Sequence, residues 1–136
     1  MDLSAIADLE RYPLGGSAFA DACRARLDRE GVLVLPEVIR APALAHLQAE
    51  ADAGEAQAYF CTQGHSVYLS PPDDRFAADH PRNRQVTSSK GCICDDVVAA
   101  DSPLRHLYDS DLFRGFVMAV TGETALHPYA DPLSSI

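Results

Sequence analysis

Ala125-Leu126-His127-Pro128-Tyr129-Ala130-Asp131-Pro132-Leu133-Ser134-Ser135-Ile136 reads as the approach to a core strand. Pro128 and Pro132 each fix one backbone angle and push the preceding residue out of helical space, so the stretch is extended or turned. Asp131, directly before Pro132, is placed to start a turn. Working back, Gly122 closes an apolar stripe in which Leu112, Phe113, Phe116, Val117 and Val120 recur at helical spacing, which predicts a helix with one buried side. A shorter helix is expected just before it. Ser102 is its cap, Pro103 suits the first helical position, and Leu104, Leu107 and Tyr108 follow.

The N-terminal half uses similar signals. Ser4 to Glu10 predicts a short helix, broken by Pro13 and Gly15-Gly16. Ser17 is expected to cap a longer helix carrying Phe19, Cys23 and Leu27, with Gly31 where a left-handed closing residue belongs. Val32-Leu33-Val34-Leu35, ended by Pro36, predicts a short strand buried on both faces. Pro42 then opens a helix with Leu44, Leu47 and Ala51 on one face, running toward Gln57. From Cys61 to Asn83 the pattern weakens to an ordered, loop-rich stretch anchored by Tyr59, Phe60, Tyr68 and Phe76, in which only Val67-Tyr68-Leu69 reads as a strand. The predicted order is helix, strand, helix, loops, helix pair, strand. That is an α+β chain forming one domain over residues 1–136, with too few strands to close a barrel or sandwich by itself.

A chain of 136 residues can bury roughly two-thirds of its unfolded surface. Twenty acidic against 11 basic side chains give a formal charge of -9, which repels phosphate backbones and anionic membrane surfaces, so neither nucleic acid nor membrane is an expected partner. Met1-Asp2-Leu3-Ser4-Ala5 lacks a basic, then apolar leader, and a cytoplasmic location is expected. The four cysteines fit that compartment. If Cys92-Ile93-Cys94 is extended, both thiols share a face and behave as small apolar residues. A zinc or redox module on that pair would need further ligands at suitable spacing.

Thr87-Ser88-Ser89-Lys90-Gly91 lacks the glycine and the Gly-Lys-Ser/Thr order of a phosphate loop and reads as a turn rich in hydroxyl-to-backbone hydrogen bonds. Together with Ser102-Pro103-Leu104-Arg105-His106-Leu107-Tyr108 and the stretch from Ala125 to Ile136, however, it resembles the first half of bacterial non-heme iron(II), 2-oxoglutarate-dependent oxygenases, in the branch of free-amino-acid hydroxylases and halogenases. The resemblance extends over about residues 30 to 136. It implies a double-stranded β-helix (jelly-roll) fold for the complete enzyme, of which this chain is the N-terminal part. It also implies iron(II) and 2-oxoglutarate as cofactors, and hydroxylation or halogenation of a small amino-acid-like molecule. Similar segments in the family shape the substrate pocket, which makes Arg82, Arg84, Thr87 and Lys90 candidates at the substrate, the cations for its carboxylate. Asp131 is the candidate for its ammonium, and the segments around Lys90 and Asp131 are expected to approach one pocket.

The iron ligands implied by the resemblance are a His-x-Asp or His-x-Gly and a later His. His46, His65, His80, His106 and His127 are followed two positions on by Gln48, Val67, Arg82, Tyr108 and Tyr129, so none supplies that motif. No catalytic residue, metal ligand or cofactor is therefore expected within 1–136 alone. His106 and His127 are expected to be packed or capping. The alternative is a small non-enzymatic interaction domain that self-associates through an unfinished sheet.

Overall fold

The computed structural model describes residues 2–128. Its helices are α1 (Leu3–Ile6), α2 (Ser17–Glu30), α3 (Ala41–Gly54), α4 (Pro103–Tyr108) and α5 (Asp111–Thr121). Two strands, β1 (Tyr59–Ser66) and β2 (Gln85–Cys92), form one antiparallel ribbon running from Tyr59 opposite Cys92 to Ser66 opposite Gln85. Helices and an antiparallel sheet kept apart make this an α+β arrangement. No described helix is long and apolar enough to cross a membrane.

Helix ends follow the local chemistry. Gly31 and Gly122 close α2 and α5 at φ +70° and +77°, a conformation that costs glycine little. The Ser102 and Ser110 hydroxyls accept the backbone N–H of Leu104 and Phe113 at the starts of α4 and α5. Pro42 lies in the first turn of α3, which gives way to a 3-10 turn at Glu55–Gln57. Two boundaries differ from expectation. Gly16, not Ser17, occupies the cap of α2, and α1 ends at Ile6 instead of reaching Glu10.

The core forms where α2 packs on α5. Tyr12, Leu14, Ala20, Cys23, Phe116 and Val120 are buried there, with Phe19, Leu27, Phe113 and Val117 partly buried around them. Leu112 and Leu44, placed on the buried stripes by spacing alone, are exposed. Phe19 stacks on Phe116 with ring centroids 5.7 Å apart, and the Tyr12 hydroxyl donates to the Pro36 carbonyl at 2.7 Å.

Three expected elements are corrected. Val32-Leu33-Val34-Leu35 is not a strand: Val32 and Val34 are 55% and 52% exposed, and only Leu33 and Leu35 turn toward the core. Pairing near it occurs instead at an antiparallel bridge, Ala7 with Ile39, braced by the Arg40 guanidinium on the Ser4 carbonyl (2.9 Å) and the Asp8 carboxylate (3.2 Å). Val67-Tyr68-Leu69 is likewise not a strand but the start of the loop between β1 and β2, with Leu69 at φ +52°. Thr87-Ser88-Ser89-Lys90-Gly91, expected as a turn, lies inside β2. Cross-strand partners override its local hydroxyl preferences, as the Thr62–Ser89 hydroxyl pair at 3.1 Å illustrates.

Candidate functional site

Alternation along β1 and β2 divides the ribbon into two faces. The first carries Phe60, Thr62, Gly64 and Ser66 with Gln85, Thr87, Ser89 and Gly91; the second carries Tyr59, Cys61, Gln63 and His65 with Val86, Ser88, Lys90 and Cys92. Thr87 and Lys90, named together by the sequence, therefore occupy opposite faces, and both are exposed. Arg84 is exposed one position before β2. Asp131 lies outside the described residues.

On the Lys90 face the structure joins two groups that the sequence left separate. His65 Nδ1 lies 3.0 Å from the Ser66 carbonyl and its Nε2 lies 3.2 Å from the Ser88 hydroxyl. A carbonyl only accepts, so Nδ1 carries the hydrogen, and in the neutral ring Nε2 accepts from Ser88. The pair fixes one tautomer and ties β1 to β2 beside Lys90.

A cleft of about 530 Å³, a ligand-sized volume, opens between α3, the end of β2 and α4. Leu47, Ala51, Ile93, Val98 and Leu104 supply much of its wall, and Gly91 and Cys92 bring the end of the Thr87 to Gly91 segment to it. Ile93 packs so near α3 that a β-carbon on Gly54 would lie 3.1 Å from its Cδ1. Among the described residues Glu50 is the single carboxylate on the wall. Its Oε2 accepts the Ser102 hydroxyl at 2.6 Å and its Oε1 lies 3.3 Å from His46 Nε2. The hydroxyl meets the carboxylate and not the imidazole, so the set does not activate Ser102 as a nucleophile. It fixes the start of α4 instead. The far wall is held by Arg105, which donates to the carbonyls of Asp95 (2.7 Å) and Val98 (2.9 Å).

Ser102 is fully buried and caps α4 while bonded to Glu50. Ser102→Ala is expected to destabilise the protein by about 1–2 kcal/mol in urea titration. A loss below about 0.5 kcal/mol would show that the Ser102 cap contributes little.

None of the four cysteines forms a disulfide. Of the pair read as small apolar residues, Cys94 is buried and Cys92 only partly so; Cys23 is buried in the core, and burial raises its thiol above the ordinary value. Among the described residues no three His, Cys, Asp or Glu side chains converge where a metal ion could sit. His106 is partly buried; His127, expected to be packed or capping, is exposed.

Sequence reading missed Glu50 as a wall residue. Its partner Ser102 is 52 positions away, and on α3 it looked like one of several solvated acids. No protein-family model, curated protein or solved structure matches the chain.

Proposed function

We propose that the chain is a portion of an iron(II)- and 2-oxoglutarate-dependent oxygenase that hydroxylates or halogenates a carbon of a small amino-acid-like substrate, its helices packing outside a jelly-roll core. Beyond the sequence resemblance, one observation supports this. The β1–β2 ribbon exposes Phe60 (65%) on one face and Tyr59 and Val86 on the other, and neither outer edge has a strand partner among the described residues. A lone two-stranded ribbon is marginal in water, and its open edges accept further strands. A larger sheet would supply them.

In this reading the iron ligands are a His-x-Asp or His-x-Gly and a later His supplied from outside residues 1–136. When bound, iron and 2-oxoglutarate would supply the oxygen activation. This chain would position the substrate, with Arg82, Arg84 or Lys90 on its carboxylate and Asp131 on its ammonium. Because Thr87 and Lys90 diverge, only one ribbon face would line the pocket. The Lys90 face, with Ser88 and His65, suits a charged substrate better.

The same open edges favour a second reading, an interaction domain that pairs through its ribbon and has no catalysis of its own. Reading the gene in frame beyond Ile136 separates the two. The oxygenase reading expects His-x-Asp or His-x-Gly within a few tens of residues, and amino-acid-dependent succinate release from 2-oxoglutarate by that longer protein. Neither motif, or no succinate with any free amino acid, would overturn it. Purified residues 1–136 are expected to show no stoichiometric, 2-oxoglutarate-dependent iron binding in equilibrium dialysis.

A further inference from the structure

The cleft between α3, the end of β2 and α4 has apolar walls interrupted at one charged point. Leu47, Ala51, Ile93, Val98 and Leu104 present hydrocarbon, and no lysine or arginine reaches the wall among the described residues. Small side chains keep it open. Ala51, Ala53 and Gly54 of α3 border a space of about 530 Å³, in the range that holds a small organic molecule. The charged point is Glu50.

Glu50 lacks a permanent counterion. Its side chain is 28% exposed, so water solvates the charge only in part, and its ion-pair partner among the described residues is His46, an imidazole that is charged only when protonated. The Ser102 hydroxyl occupies Oε2 at 2.6 Å but brings no charge. A carboxylate accepts about four hydrogen bonds, so acceptor positions remain open. The backbone adds to the field, because Glu50 lies one turn from the C-terminal end of α3, where the helix dipole favours a cation and the last turn supplies no basic side chain. The carboxylate is also held in advance of any ligand, since Ser102 is fully buried and caps α4 while donating to it.

These features select a ligand class. A divalent metal ion takes about six or more oxygens and would find one carboxylate on the wall. A free amino acid would bring its own carboxylate toward Glu50 with no cation to receive it, which sets this cleft apart from the amino-acid pocket proposed above. An ammonium carried on an apolar chain satisfies both parts of the wall. We propose that the cleft binds a small apolar primary amine, its ammonium on Glu50 and its hydrocarbon against Leu47, Ile93 and Val98. The site stands on its own geometry and does not require the oxygenase reading.

The test uses hexylammonium, an alkylamine protonated at about pH 7.5, titrated into isotope-labelled protein at constant ionic strength and followed through the backbone amides of Ala51, Gly54, Gly91 and Val98. Saturable shifts are expected, with weaker binding of hexanol and the weakest of hexanoate. Butylammonium, shorter by two methylenes, is expected to bind about tenfold more weakly. Glu50→Gln keeps an acceptor for the Ser102 hydroxyl but removes the charge, so it is expected to raise the hexylammonium Kd about tenfold or more and to leave the hexanol Kd within about twofold. Should Glu50→Gln not fold, wild-type protein still decides the matter through the order of the three six-carbon probes and through Cys92, which lines the cleft. Saturating hexylammonium is expected to slow alkylation of Cys92 and to leave that of Cys61, outside the cleft, unchanged. Unsaturable shifts, unprotected Cys92, or unchanged hexylammonium affinity in folded Glu50→Gln would overturn the site. Hexanol or hexanoate binding as tightly as hexylammonium would overturn the ammonium assignment. Dimerisation that shields the same amides without any probe would give the cleft to a second copy of the chain and overturn the proposal as well. Succinate assays are not involved, so failure here is distinct from failure of the oxygenase reading.

Discussion

Phe116→Ala is expected to lower the unfolding free energy by about 3–5 kcal/mol, measured by urea denaturation followed through helical circular dichroism. Phe116 is 5% exposed and sits in the α2–α5 cluster, its ring stacked on Phe19 at 5.7 Å. Truncation removes the transfer energy of the ring, loses the stacked pair and leaves a cavity between two helices tied at both ends. Neither helix collapses easily into that space. α5 is capped by Ser110 and stopped by Gly122, where a β-carbon would already lie 2.6 Å from the Arg24 guanidinium. A loss below about 1 kcal/mol would mean that the α2–α5 contact is not the core of the fold.

The helical part of that core was legible because its signals are local, whereas Tyr12 and Leu14, which join it from the segment before α2, carry no periodic signal. Helical spacing marked Phe116 and Val120, glycines marked both stops, and Ser102-Pro103 marked a start. The ribbon was not. β1 reads Tyr-Phe-Cys-Thr-Gln-Gly-His-Ser, and a strand exposed on both faces has no reason to alternate apolar and polar residues, so the period-2 signal is absent. Val67-Tyr68-Leu69 has strand-forming residues but sits where the chain turns, and Leu69 is 78% exposed. Val32 to Leu35 shows the converse error. The apolar run is real, but a strand needs a ladder partner, which composition does not disclose.

The candidate site was legible only as a set of residue types. Arg82, Arg84 and Lys90 were visible as cations, but the register that puts Lys90 and Thr87 on opposite faces is a property of the pairing with β1. Arg82 differs from Arg84 through Tyr68, which lies fourteen positions away in sequence and beneath its guanidinium in space. Glu50 and Ser102 are joined across an even longer interval. Long-range side-chain pairings of this kind leave no periodic trace.

Asn83→Ala is expected to loosen the 67–84 loop by about 2–4 kcal/mol, read as backbone amide exchange at Asp73 that is roughly 30-fold to 1000-fold faster. The Asn83 side chain is 6% exposed, its Oδ1 accepting the Asp73 N–H at 2.8 Å. Its Nδ2 donates to the carbonyls of Asp73, Phe76 and Ala77 at 2.9, 3.0 and 3.2 Å. Two hydrogens serve three carbonyls, so one bond is shared, and alanine removes about three bonds' worth of interaction at about 0.5–1.5 kcal/mol each. The loop lies outside the α2–α5 cluster, so the loss appears as local opening and urea stability changes by less than about 1 kcal/mol. Asn83→Asp keeps the acceptor for the Asp73 N–H but loses both donors, and should fall between wild type and alanine. Unchanged exchange at Asp73 would show that the loop is held by something other than Asn83.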